Sequence, residues 1–263
     1  MAPIDYTKKT IVFVTGASRG IGRSIALEIS RKLDQQSIIV LMARSESGLT
    51  ETKAQIAEVD KTITVQTYRT DFLNPRTETF EDVFNRVLNS ADTKDIQNAI
   101  IFHNAGHVGT VKKSTDLSDL VAWREHFDVN LFSLALLNSV FMKRMRPIAQ
   151  KLCVVNISSL AGRVPVTNLA MYGSGKAARD LFFKVLSIEE PDVVVLNYSP
   201  GPVDTDMFDM VLKTAQSEDL KKNFEEVKKT TVLLPPVTVN KMLDLLEKGE
   251  FKNGDTVDYY DRI

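Results

Sequence analysis

A chain of 263 residues, 43% hydrophobic and 25% charged, has the size and make-up of one large soluble α/β domain with a sizeable core. Its formal net charge of −1 gives no electrostatic footprint for nucleic acid or an anionic membrane surface, and neither is expected as a partner. One cysteine, Cys153, lies in the apolar run Leu152-Cys153-Val154-Val155, which excludes a disulfide framework and predicts a buried thiol in a reducing, cytoplasmic setting. Met1-Ala2-Pro3-Ile4-Asp5 carries no apolar signal region, and no run approaches the roughly 18 apolar residues of a membrane span.

In chain order, Ile11-Val12-Phe13-Val14 reads as a buried strand and leads into Thr15-Gly16-Ala17-Ser18-Arg19-Gly20-Ile21-Gly22. A helix-period segment through Ile25, Leu27 and Ile29 follows. Strand, glycine turn and helix place unpaired N–H groups and a helix dipole where a phosphate binds. The spacing is G-x-x-x-G-x-G rather than G-x-G-x-x-G. One glycine turns the chain, one lets the backbone approach a pyrophosphate, and one lets helix and strand pack closely.

Residues 37–42 then read as a strand buried on both faces, and 45–59 as a helix with Ser45 or Ser47 as its cap. Residues 63–68 alternate as a strand, and 75–88 suit a helix with Pro75 in its first turn. A fourth strand over 99–102 ends in His103-Asn104-Ala105-Gly106, and one long helix is expected from about 117 to 145. Strands over 152–157 and 193–198 flank a helix over 171–188. Residues 204–250 read as two or three helices outside the alternation, with a closing strand over 256–260. This alternation predicts a doubly wound parallel sheet of about seven strands with helices on both faces. Ligands of such sheets bind beyond the carboxyl ends of the strands, where Gly16, Ala43, Asp71, Asn104, Ser159 and Pro200 all fall.

The end of the second strand selects the dinucleotide. NAD sites place a carboxylate there for the ribose 2′-hydroxyl. Here the strand runs Leu41-Met42-Ala43-Arg44-Ser45, without an acidic residue, and Arg19 adds a second cation. Two arginines suit a 2′-phosphate, so NADP(H) is the expected cofactor.

Tyr172-Gly173-Ser174-Gly175-Lys176 puts a phenol and an ammonium four residues apart, on one helix face. Bringing a phenol from pKa about 10 to about 7 requires roughly 4 kcal/mol of stabilisation, within reach of close cations. Ser159 closes the fifth strand 13 residues before Tyr172, and its hydroxyl can donate to a carbonyl while the tyrosine transfers the proton.

The glycine turn, Asn104-Ala105-Gly106, Asn130, Ser159, Tyr172, Lys176 and Pro200-Gly201 jointly resemble the short-chain dehydrogenase/reductase family over about residues 10–205. The resemblance implies a single NADP-binding Rossmann-type domain spanning 1–263, with 204–263 supplying substrate-side helices and the last strand. It makes Tyr172 the general acid, Lys176 the cation that lowers its pKa and holds the nicotinamide ribose, Ser159 the carbonyl-polarising group, and Asn130 the holder of a water leading from Lys176 to solvent. It places the cofactor against Gly16, Ser18, Arg19, Gly20, Ile21 and Gly22. Further cofactor contacts are implied at Arg44, Ser45, Asp71 and Phe72, at Asn104, Ala105 and Gly106, and at Pro200, Val203, Thr205 and Met207. A homodimer through the long helix is implied in the same way. His103 departs from the family's Asn-Asn-Ala-Gly and touches a sheet contact rather than the chemistry.

A narrower resemblance is to the branch of this family that reduces side-chain ketones of pterins. It runs through Val155 to Leu160, Gly175 to Asp180, Leu196 to Tyr198, Asp204 to Met207 and the tail Val257-Asp258-Tyr259-Tyr260-Asp261. It implies a substrate site of Ser159, Leu160, Tyr172, Gly201 and Asp258, with the Asp258 carboxylate on the amino-pyrimidine edge. Residues 161–168 match that branch poorly, which keeps a broad carbonyl or diketone reductase open, and with it a non-catalytic dinucleotide-sensing module. His103, His107 and His126 lack metal-ligand spacing and read as pocket-lining or solvated; no metal is expected. Asp204, Asp206 and Asp209 read as carboxylates at a helix start, and Trp123, Phe127, Leu131 and Leu134 as a packed face.

Overall fold

A computed structural model describes residues 2–262. Seven parallel strands form one sheet in the order β3-β2-β1-β4-β5-β6-β7. They are β1 (Thr10–Thr15), β2 (Ile38–Ala43), β3 (Thr64–Arg69), β4 (Asn98–His103), β5 (Lys151–Ile157), β6 (Val194–Ser199) and β7 (Thr256–Asp258). Continuous apolar strands suit a sheet covered on both sides. In β1, Val12 and Val14 pack with α1 (Gly20–Ser30), α2 (Glu46–Val59) and α9 (Pro235–Lys248), while Ile11 and Phe13 face the opposite layer. That second layer holds α3 (Thr77–Ser90), α5 (Ser133–Met145) and α6 (Ala170–Glu189). There Phe13 stacks on Phe84 at 4.6 Å and meets the edge of Phe141 at 5.8 Å. Cys153 is fully buried between the strands, which pushes its thiol pKa up.

Strand order reverses at β1, which pairs with β2 on one side and β4 on the other, and a crevice at such a switch lies beyond the carboxyl ends of β1 and β4. The expected strands all form, shifted by a residue or two. The helices differ more. The proline expected inside the third helix lies before it: Asp71 Oδ1 accepts the Leu73 N–H and Asn74 sits at φ 53°, so the chain stays a loop until Thr77. The single long helix is broken as well. It divides into α4 (Leu120–Phe127), one π turn over Asp128–Phe132, and α5.

Beyond β6 the chain forms α7 (Asp206–Thr214), α8 (Glu218–Thr230) and α9. The last of these does not lie outside the alternation: it packs on α1 as the crossover helix into β7. Only α7 and α8 are additional. They carry Val211, Ala215 and Leu220 onto Val108, Val111 and Leu169, a small cluster that also touches Tyr172. Asp206 and Asp209 stand in the first turn of α7, whose dipole they complement.

Candidate active site

The glycine turn closes tightly. Gly16 and Gly20 adopt φ 67° and 54°, and a Cβ on Gly22 would stand 2.2 Å from the Gly16 carbonyl oxygen. Thr15 Oγ1 accepts the N–H groups of Asn104 and Ala105, each at 2.9 Å, and Asn104 Nδ2 donates to the Thr15 carbonyl. The ends of β1 and β4 are thereby locked beside each other. The N-cap of α1, Arg19, makes no capping hydrogen bond, and no acidic residue occupies the first turn. Those features fit a pyrophosphate at this terminus.

Around it, the Ser18 carbonyl is held by Arg23 Nη2 at 2.6 Å and Ile21 packs partly against the core. Arg44 is exposed just past β2, and Ser45 caps α2 by accepting the Gly48 N–H. Arg19 pairs with Asp206 at 2.5 Å, both side chains being about two-thirds exposed, so a phosphate would compete with a weak surface contact. The ring of Phe72 is buried against Phe80 and belongs to the core, while Asp71 lies exposed beside it. On the opposite lip, Pro200 is buried, Val203 bridges to Leu233, Thr205 caps α7, and Met207 packs on the same small apolar cluster as Tyr172.

Ser159 follows β5 and caps a single 3₁₀ turn, Leu160–Gly162, by accepting the Ala161 N–H. This turn lies directly on α6: a Cβ on Gly173 would stand 2.6 Å from the Ala161 carbonyl oxygen. Small residues on both sides thus bring the Ser159 hydroxyl to Tyr172. Lys176 is 5% exposed; its Nζ donates to the Ile157 carbonyl at 2.6 Å and lies 5.6 Å from the centre of the Tyr172 ring. Burial raises the Tyr172 phenol above its ordinary pKa, and a hydrogen bond from Ser159 and the charge of Arg179 work against that rise. Burial and Arg179 also hold Lys176 well below its ordinary range. Arg179 is thus a second buried cation beside Lys176, and its charge works to lower the phenol.

Arg179 is fully buried three residues beyond Lys176 on the same helix face. It donates to the Asn156 amide oxygen at 2.8 Å, to the Ala105 carbonyl at 3.1 Å and to the His103 carbonyl. Asn156 Nδ2 in turn donates to Asp180 and Asn197. The His103 ring meets Asn138 at 3.3 Å and lies near Phe183; burial takes its pKa down to about 3. Asn130, 1% exposed, sits in the π turn. Its Nδ2 donates to the His126 carbonyl, the acceptor an α-helix would give to its own N–H, and its Oδ1 accepts the His107 N–H. Its side chain therefore fixes the loop after Gly106. His126 is fully buried rather than solvated, with its pKa at about 4.

At the far side, Asp258 ends β7 beside Ser199 of β6. Its Oδ2 accepts the Ser199 hydroxyl at 2.6 Å and Arg163 Nη2 at 3.3 Å, and its Oδ1 accepts the Tyr260 N–H at 3.1 Å. Gly201 packs against Leu233, Tyr259 and Tyr260, and Leu160 is half exposed. Arg163, four residues after Ser159, thus links the reacting group to the tail.

The family model for short chain dehydrogenases matches residues 10–216. The chain belongs to the short-chain dehydrogenase/reductase family. It is 36% identical to sepiapterin reductase of Xenopus laevis, covering 94% of each chain, and 32% identical to that of Bos taurus, covering 96% of this chain and 95% of the relative. Benzil reductase of Bacillus subtilis is 30% identical, covering 94% of this chain and 97% of the relative. Among solved structures, the KRED1-Pglu enzyme superposes with a TM-score of 0.81 at 27% identity, covering 95% of this chain and all of that one. As a member of this oxidoreductase family the chain has its sheet and strand order. Arg179 and Arg163 were not singled out from the sequence. The spacing of Arg179 from Tyr172 and Lys176 was the one signal for it.

Proposed function

We propose that this oxidoreductase uses NADPH to reduce a side-chain ketone of a pterin. Three features support the reading: Arg44 and Arg19 with no carboxylate at the end of β2, the Ser159–Tyr172–Lys176 arrangement, and Asp258 across the same mouth. The observation that carries it is Asp258, a largely buried carboxylate linked through Arg163 to the turn that bears Ser159. A carboxylate so placed accepts two parallel N–H groups from an amino-pyrimidine edge. Gly16, Gly20 and Gly22 hold the pyrophosphate at the N-terminus of α1, Arg44 and Arg19 the 2′-phosphate, and Lys176 the nicotinamide ribose. When bound, the reduced nicotinamide supplies a hydride. Ser159 orients the substrate carbonyl and Tyr172 gives its phenolic proton to the oxygen. The raised phenol pKa keeps that proton in place at neutral pH, as reduction requires. Leu181, Val185 and Ile188 form an exposed apolar row on α6 that suits a second copy of the chain in a homodimer.

A second reading, a reductase of small diketones, is favoured by the hydrogen bond from Arg163 to Asp258, which engages the pterin anchor. Following NADPH oxidation with sepiapterin beside an equal concentration of benzil separates the two. Preference for sepiapterin that is lost in Asp258→Ala supports the first; turnover of benzil alone supports the second. Tyr172→Phe is expected to lower kcat by about 10²–10⁴-fold on either substrate with NADPH affinity retained. Intact turnover in that variant would remove the proposed acid.

A further inference from the structure

Asp258 is held in place without Arg163. Lys241 Nζ donates to the Tyr259 and Asp261 carbonyls at 2.5 and 2.7 Å, and the Tyr259 N–H donates to the Ser199 carbonyl at 2.8 Å. The Ser199 hydroxyl and the Tyr260 N–H orient the carboxylate itself. The Arg163 bond is the longest of those on this carboxylate, is made through one nitrogen only, and comes from a side chain one-third exposed. Such a contact contributes little to folding.

Its chemistry is more telling than its strength. A guanidinium and a 2-amino-4-oxopyrimidine edge present the same planar pair of N–H donors to a carboxylate. With the Ser199 hydroxyl on Oδ2 and the Tyr260 N–H on Oδ1, each carboxylate oxygen of Asp258 keeps one further acceptor position, and Arg163 takes that of Oδ2. Arg163 also belongs to residues 161–168, between Ser159 and Tyr172, the stretch of the pocket wall that departs from the pterin-reducing pattern.

We propose that Arg163 is a specificity-determining residue that acts as an internal competitor for Asp258: a ligand with an amino-pyrimidine edge must displace it, whereas a ketone without that edge leaves the pair intact. The inference rests on the reading of Asp258 as the substrate anchor. It makes the protein less selective for pterins than its other site residues imply.

The test uses isocytosine, which carries the amino-pyrimidine edge and no ketone, titrated by ligand-observed NMR onto the NADP⁺-saturated full chain. Arg163→Ala is expected to tighten isocytosine binding about fivefold, the upper range for releasing a partly exposed ion pair. Arg163→Lys, which keeps the charge and loses the planar fork, should fall between the two. The ratio of kcat/KM for sepiapterin to that for benzil should rise by a similar factor in Arg163→Ala, through KM. Unchanged or weaker isocytosine binding in Arg163→Ala, or none, overturns the proposal. Tighter isocytosine binding with no turnover of sepiapterin by either protein leaves Arg163 as the competitor and removes the pterin reading. Equal sepiapterin turnover by both with unchanged isocytosine binding does the reverse.

Discussion

Arg179 shows how one residue can couple folding to chemistry. A buried guanidinium ordinarily faces a carboxylate, yet among the described residues it forms no ion pair, and its donors go to three uncharged oxygens. Those oxygens belong to β5 and to the end of β4, so the side chain ties α6 to both sides of the cleft. Its charge reaches Lys176, Tyr172 and His126, and the Asp180 carboxylate acts on it in turn. Replacing it by methionine strands the carbonyls of His103 and Ala105 and the Asn156 amide. Arg179→Met is therefore expected to lose on the order of 3 kcal/mol in urea unfolding. It also removes a cation that lowers the phenol. In alcohol oxidation, where the phenolate is the base, the pH at which the rate rises should move upward. Arg179→Lys should restore much of that pH profile and little of the stability, because an ammonium cannot span three acceptors. A profile unmoved in Arg179→Met would make the residue purely structural.

At the scale of elements, the glycine turn separates two kinds of glycine. Gly20 has room for a Cβ, whose nearest contact would be Thr205 Cγ2 at 3.4 Å, and only its φ of 54° opposes substitution. Gly22 has no room, since its Cβ would meet the Gly16 carbonyl at 2.2 Å and Asn104 Nδ2 at 2.5 Å. Gly20→Ala should cost about 1–2 kcal/mol of stability and, because the turn stays closed, less NADPH affinity than Gly22→Ala does. Gly22→Ala must open the turn and the Thr15–Asn104 junction, and a fall of tenfold or more in NADPH affinity by fluorescence titration is expected. Equal losses in the two variants would refute the distinction. The turn, the strands and the Tyr172–Lys176 spacing were legible because each is written in consecutive or evenly spaced residues. The break in the long helix was not: it depends on Asn130 taking the His126 carbonyl, a side-chain choice that apolar periodicity does not record. Arg179 and Arg163 escaped for a related reason. A charge in a helix or loop reads as solvated until the partner strand ends are in place.

Across the whole molecule, the doubly wound sheet buries two histidines at the site in neutral form, His103 with pKa about 3 and His126 about 4. Both values lie below the ordinary 6.5 of an unfolded histidine, chiefly because burial penalises the charged ring. Above pH 6.5 neither form of the chain holds these protons, and the two groups leave stability independent of pH. Between about pH 6.5 and 4 the unfolded chain binds them and the folded chain does not, so stability falls as pH falls. Two such groups give a limiting slope of about 2.7 kcal/mol per pH unit, part of it offset by Asp180, whose raised pKa lets the folded chain take up a proton earlier. Urea midpoints are therefore expected to hold level above pH 6.5 and to drop steadily from there to pH 5. His103→Asn removes one of the two titrating groups. It forfeits the contact with Phe183 and lowers stability at every pH, but the slope between pH 6.5 and 5 should fall by up to half. If the variant's midpoint declines as steeply as that of the parent, the acid sensitivity arises in the carboxylates and not in this buried pair.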